Sequence, residues 1–67
     1  MFQRNELRAA LARKDMSIQS LAKALNISPA TLSLKINGHG DFVLSEIEQI
    51  RKVLDLTPED VLTIFFA

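Results

Sequence analysis

Between Ser17 and Gly38 the chain reads as two short helices joined by only three or four residues, Leu25-Asn26-Ile27-Ser28. So short a link gives the helices no room to separate, and they must pack directly at a steep angle. Leu21, Ala22 and Leu25 face inward on the first of the pair; Leu32 and Ile36, four residues apart, make the inward edge of the second. Ala22 is the tight point, because a larger side chain there would hold the two helices apart. Ser17 and Ser28 stand where N-caps are needed, and Pro29 occupies a first helical position, where its missing N–H does no harm. Met16 and Ile27 precede the two caps and can staple to Leu21 and Leu32. Asn26 tolerates the left-handed conformation that the tight turn demands, and Gly38 can adopt it after the second helix.

The flanking segments follow the same grammar. A helix from about Phe2 to Arg13 carries Leu7, Ala10 and Leu11 at helical spacing. Another starts near Leu44 or Ser45 and runs to Leu54, burying Leu44, Ile47, Ile50 and Leu54. Ser45 and Glu48 form a capping box if it starts at Ser45. Thr57-Pro58-Glu59-Asp60 opens a fifth helix, with acids in the first turn where the helix dipole favours them. No stretch alternates as a strand would. The predicted fold is all-α: five helices in a single domain over residues 1–67.

A chain of 67 residues has room for one core and buries only about 60% of its unfolded surface. It has no cysteine, hence no disulfide framework and no thiolate metal site. The opening segment is charged throughout and lacks the apolar stretch of a signal peptide. No run approaches the roughly 18 apolar residues of a membrane span. These features point to a cytoplasmic protein. The net charge is zero, but it is unevenly spread. Residues 1–40 carry six basic and two acidic side chains, net +4, and residues 41–67 carry two basic and six acidic, net −4. Such a split can present a basic side to a polyanion.

Enzyme chemistry finds no foothold. There is no glycine-rich phosphate loop and no nucleophile–base pair. His39 is the only histidine and has no partners for a metal site. No cofactor, metal or small-molecule substrate is expected.

The central helix pair has helix-turn-helix geometry, in which the second helix can lie in a DNA major groove. "SIQSLAKALNISPATLSLKING" followed by "LSEIEQIRKVLDLTPEDVL" resembles the lambda-repressor-like, Cro/repressor-type helix-turn-helix family. It looks most like the small phage and prophage regulators, and the resemblance runs from about Leu7 to Leu62. It implies a DNA-binding transcriptional regulator whose third helix reads base edges. By position, Pro29, Ala30, Thr31, Ser33 and Leu34 fall on the reading face. Asn37 falls on the phosphate position with His39 just beyond it, while Lys35, flanking the outer face, and Ser17, Gln19 and Ser28, at helix N-termini, are further candidates to contact the DNA backbone. Two departures stand out. Asn26 replaces the usual glycine of the turn, and Ile18 sits where a polar residue often touches the backbone, a job left to Ser17 or Gln19.

The reading face is also unusually plain, with no Gln, Asn or Arg. At about 100° per residue, with Leu32 at zero, Ile36 falls at about 40°, Ala30 at about 160° and Leu34 at about 200°. Leu34 thus points away from the core. An apolar side chain there can pack on a thymine methyl, which only the major groove displays, and Thr31 and Ser33 can hydrogen-bond to base edges. The same Leu34 would suit a protein interface, so a protein-interaction module on this fold, such as an antirepressor, is the alternative. Finally, "VLTIFFA" is too apolar for one helix face. With Val61, Leu62 and Phe65 inward, Ile64 and Phe66 stay partly exposed, and a homodimer through Ile64, Phe65 and Phe66 is expected, the alternative being that these aromatics fold back to cap the monomer's own core.

Overall fold

The computed structural model describes residues 1–67. Five α-helices follow one another: α1 (Arg4–Arg13), α2 (Ile18–Leu25), α3 (Pro29–Ile36), α4 (Leu44–Leu54) and α5 (Pro58–Val61), the last running on into a π-helical turn, Leu62–Phe66. There is no strand, and no helix is long and apolar enough to cross a membrane.

The helix starts follow from side-chain acceptors. Ser17 Oγ accepts the Ser20 N–H, Ser28 Oγ accepts the Thr31 N–H, and Thr57 Oγ1 accepts the Asp60 N–H, each at 3.1 Å. Asp60 completes a capping box by accepting the Thr57 N–H at 3.1 Å. One start differs from the sequence expectation, and another falls on the first of its two alternatives. α4 begins at Leu44 with Val43 as its N-cap, so the Ser45–Glu48 box does not form. Glu46 instead reaches back to accept the Val43 N–H at 2.9 Å, and Glu48 pairs with Arg51 at 3.3 Å. α1 begins at Arg4 rather than Phe2. The Gln3 N–H is donated at 2.6 Å to the Ile64 carbonyl, so the first residues lie extended against the C-terminal turn.

The helix ends share one device. After α1, α2, α3 and α4 the chain passes through a residue with positive φ: Asp15 (53°), Asn26 (59°), Gly38 (87°) and Asp55 (53°). In each case the next N–H returns to the carbonyl five residues back: Met16 to Leu11, Ile27 to Ala22, His39 to Leu34 and Leu56 to Arg51. This is the Schellman closure, which satisfies carbonyls that the helix leaves orphaned. In three of the four, the residue after the left-handed one is apolar and packs on the core (Met16, Ile27, Leu56). After α3 it is His39, which is exposed.

All fourteen buried residues are apolar, and they form one cluster. Leu7, Leu21, Ala22, Leu32 and Ile50 are completely inaccessible. Ala22, the tight point of the short α2–α3 link, is fully buried. A second focus closes the two chain ends together. The rings of Phe2, Phe42 and Phe65 lie with centroids 4.9, 5.5 and 5.7 Å apart, separations at which each aromatic pair adds about 0.5–1.5 kcal/mol beyond its burial.

Three burial expectations are corrected. Leu44 is 72% exposed, because α4 starts two residues earlier than a Ser45 cap would give and Leu44 falls on its outer first turn. In the C-terminal turn Ile64 is 2% exposed and Phe65 is buried, whereas Leu62 stands in solvent. Ile64 is therefore core, not surface. The turn's phase is set from outside: the Gln3 bond holds Ile64 and the aromatic cluster holds Phe65, neither of which helical spacing can reveal. Phe66 is exposed, as expected.

Candidate nucleic-acid interface

The helix-turn-helix is α2, the turn at Asn26 and α3. Its second helix is amphipathic in an unusual way. Leu32 and Ile36 are buried, while Pro29, Ala30, Thr31 and Ser33 are exposed and Leu34 is 54% exposed. The five residues expected at base edges therefore share an accessible surface that carries no charge.

The hydroxyls on this surface are partly committed. Ser28 Oγ both accepts the Thr31 N–H and donates to Thr31 Oγ1 at 2.8 Å. Its single proton is thus used inside the protein. Thr31, having accepted that bond, keeps its own proton free to donate outward. Ser17 Oγ lies 3.0 Å from Ser20 Oγ as well as capping α2. Gln19 and Ser28 are brought together, with Lys23, Asn26, Ile27 and Pro29, around an open cleft of about 380 Å³ at the elbow between α2 and α3. Lys23 had no place among the expected contacts; its spacing of four from Gln19 on α2 was the signal available.

At the other end of α3 the structure departs from expectation at Lys35. Its ammonium is not free for phosphate. Nζ sits 2.9 Å from both carboxylate oxygens of Glu46 and 3.2 Å from the Asp41 carbonyl. The two side chains are only 18% and 13% exposed. Burial pushes the Glu46 carboxyl up, but the Lys35 hydrogen bonds, the Val43 N–H and the Lys35 charge outweigh it, and the group ends below its ordinary value of 4.5. The pair straps α3 to the start of α4. It also orients the Gly38–Val43 loop, since Lys35 holds the Asp41 carbonyl.

Asn37 and His39 are both exposed at this end. Asn37 Oδ1 accepts a hydrogen bond from Arg4 Nη1 at 3.1 Å. That long-range contact brings α1 to the site, and nothing in the spacing of the sequence announces it. Next to it lies a groove of about 600 Å³ whose lining includes Arg4, Asn37, Gly38, Phe42 and Phe66.

The charge split of the sequence does not become a clean division in space. Of the six N-terminal cations, Lys35 is paired with Glu46 and Lys14 lies 3.8 Å from Asp55. Arg4, Arg8, Arg13 and Lys23 have no acidic partner. A short recognition-type helix on a tight elbow, an uncharged outer face, and the unpaired Arg4 and Lys23 near its two ends suit a groove-reading domain. Comparison with known proteins agrees. No curated protein sequence matches the chain at a significant level. The model of the Cro/C1-type HTH DNA-binding domain, however, matches residues 6–66, nearly the whole chain. By its fold and by that match the chain belongs to the Cro/C1-type helix-turn-helix DNA-binding domains.

Proposed function

We propose that this domain is a sequence-specific transcriptional regulator of the phage or prophage repressor type. It acts in the prokaryotic cytoplasm by occupying an operator and so excluding or recruiting polymerase. The observation that carries this reading is the outer face of α3, where Ala30, Thr31, Ser33 and Leu34 are exposed opposite buried Leu32 and Ile36. With α3 in the major groove, Leu34 and Ala30 pack on thymine methyls, and Thr31 and Ser33 hydrogen-bond to base edges. Pro29 sets the start of the helix at the groove wall. Ser17, Gln19, Asn37 and His39, with the backbone N–H groups after Ser28, contact phosphates. These fix register without reading sequence.

One helix of eight residues reads too few bases to be specific, so the operator is a paired half-site bound by a homodimer. The exposed Leu62 and Phe66 form the apolar edge through which two copies meet, with Ile64 and Phe65 supporting it from beneath. Selection from a random duplex pool at low salt, followed by sequencing, tests this. A pseudo-palindromic consensus with thymines in each half-site is expected. Recovery of no consensus, with binding insensitive to salt, favours the protein-interaction reading of Leu34 instead.

A further inference from the structure

Arg4 is the first residue of α1 and lies outside the helix-turn-helix. Its guanidinium nonetheless reaches the end of α3 to donate to Asn37 Oδ1. Both side chains are exposed, at the mouth of the groove beside Gly38 and Gly40. Arg4 makes no ion pair, even though Asp41 lines the same groove. Its only partner is a neutral amide. A guanidinium has five donor hydrogens in a fixed fork, so most of them remain for an external acceptor. The contact also orients Asn37: with Oδ1 turned to Arg4, the amide Nδ2 is left as a donor on the same rim. Lys35, the nearer cation in sequence, is held by Glu46. That leaves Arg4 as the cation at this end of α3.

We propose that Arg4 and Asn37 together clamp one phosphate of the duplex. Arg4 supplies the charge and Asn37 a second, neutral donor. This rests on the DNA-binding reading above, and it gives α1 a direct part in that binding. Arg4 is then a residue that positions the domain on DNA without choosing the sequence.

The test compares wild type, Arg4→Gln and Arg4→Lys on a selected operator and on a scrambled duplex over a range of salt. Gln at position 4 can still donate to Asn37 Oδ1 but carries no charge, so a merely structural role leaves the salt dependence unchanged. The clamp predicts that Arg4→Gln flattens the log–log salt slope by about 0.9 per subunit on both duplexes. It also predicts roughly tenfold weaker binding at low salt. Arg4→Lys should keep the wild-type slope. A slope in Arg4→Gln equal to wild type overturns the proposal while leaving the DNA-binding reading standing. Absence of salt-dependent binding by wild type itself overturns that reading, and the clamp with it.

Discussion

The Lys35–Glu46 pair is the interaction most open to a quantitative test, because it joins the proposed reading helix to α4. Breaking it with Glu46→Ala removes two contacts at 2.9 Å to Nζ and the cap on the Val43 N–H. It leaves an ammonium that is 18% exposed with a single carbonyl partner. Fully exposed pairs are worth about 0.2–1 kcal/mol, and loss of one partner of a fully buried pair costs about 3–5 kcal/mol. At 18% and 13% exposure the pair lies between, and about 2 kcal/mol of destabilisation is expected. For a domain of this size that lowers Tm by about 8–16 °C. The pH dependence has a definite sign. The folded carboxyl titrates below 4.5, so its contribution is complete above the unfolded value and is lost as pH falls through the folded one. Denaturant unfolding of wild type, Glu46→Ala, Lys35→Met and the double variant, at neutral pH and in steps below pH 5, measures the coupling. A coupling energy under about 0.3 kcal/mol at neutral pH, or one that does not shrink on acidification, refutes the reasoning. The same Lys35→Met protein should keep the wild-type salt slope for DNA; a slope shallower by about 0.9 would return Lys35 to the phosphate contacts.

Other outcomes follow from the turn, the cap and the tail. Asn26 sits at φ 59°, so Asn26→Ala should cost about 1 kcal/mol in chemical denaturation while Asn26→Gly stays within about 0.5 kcal/mol of wild type. Ser28→Ala removes the α3 cap and should lower stability by about 1 kcal/mol; equal stability would mean that the Ser28–Thr31 bonds carry little. Ile64→Ala should cost about 2–5 kcal/mol, since the side chain is 2% exposed, whereas Phe66→Asp should leave Tm nearly unchanged yet shift sedimentation equilibrium towards monomer. A monomeric wild type at hundreds of micromolar, with non-cooperative DNA binding unaffected by Phe66→Asp, would remove the dimer.

The readable parts of this fold were local. Ser17, Ser28 and Thr57 announce their helices because a cap is a contact between residues three apart, and Asn26 and Gly38 announce turns through their backbone tolerance. Asp15 and Asp55 adopt the same left-handed conformation, and the apolar Met16 and Leu56 that follow them were the available sign. The choice between Leu44 and Ser45 as the α4 start stayed open for a related reason. Glu46 could serve either as third residue of a helix capped at Val43 or as partner to Lys35, and it does both. What stayed hidden was long-range. Ile64 is fixed by Gln3 and Phe65 by Phe2 and Phe42, while Arg4 meets Asn37 across 33 residues. The composition of the α3 face could be read directly, since buried Leu32 and Ile36 leave Ala30, Ser33 and Leu34 nowhere to point but outward. The partner of Lys35 could not, because an ion pair between helices depends on how they dock.

The claim at the centre of this account is that an uncharged helix face reads DNA by apolar contact in the major groove. A thermodynamic cycle tests it most directly: wild type and Leu34→Ala, each titrated against the selected operator and against versions with single thymines replaced by uracil. Uracil lacks only the methyl group, and at the contacted position its substitution should cost wild type on the order of 1 kcal/mol. The same substitution should cost Leu34→Ala almost nothing, because the side chain that met the methyl is gone. Losses of equal size in both proteins, or no loss at any thymine, would contradict the claim.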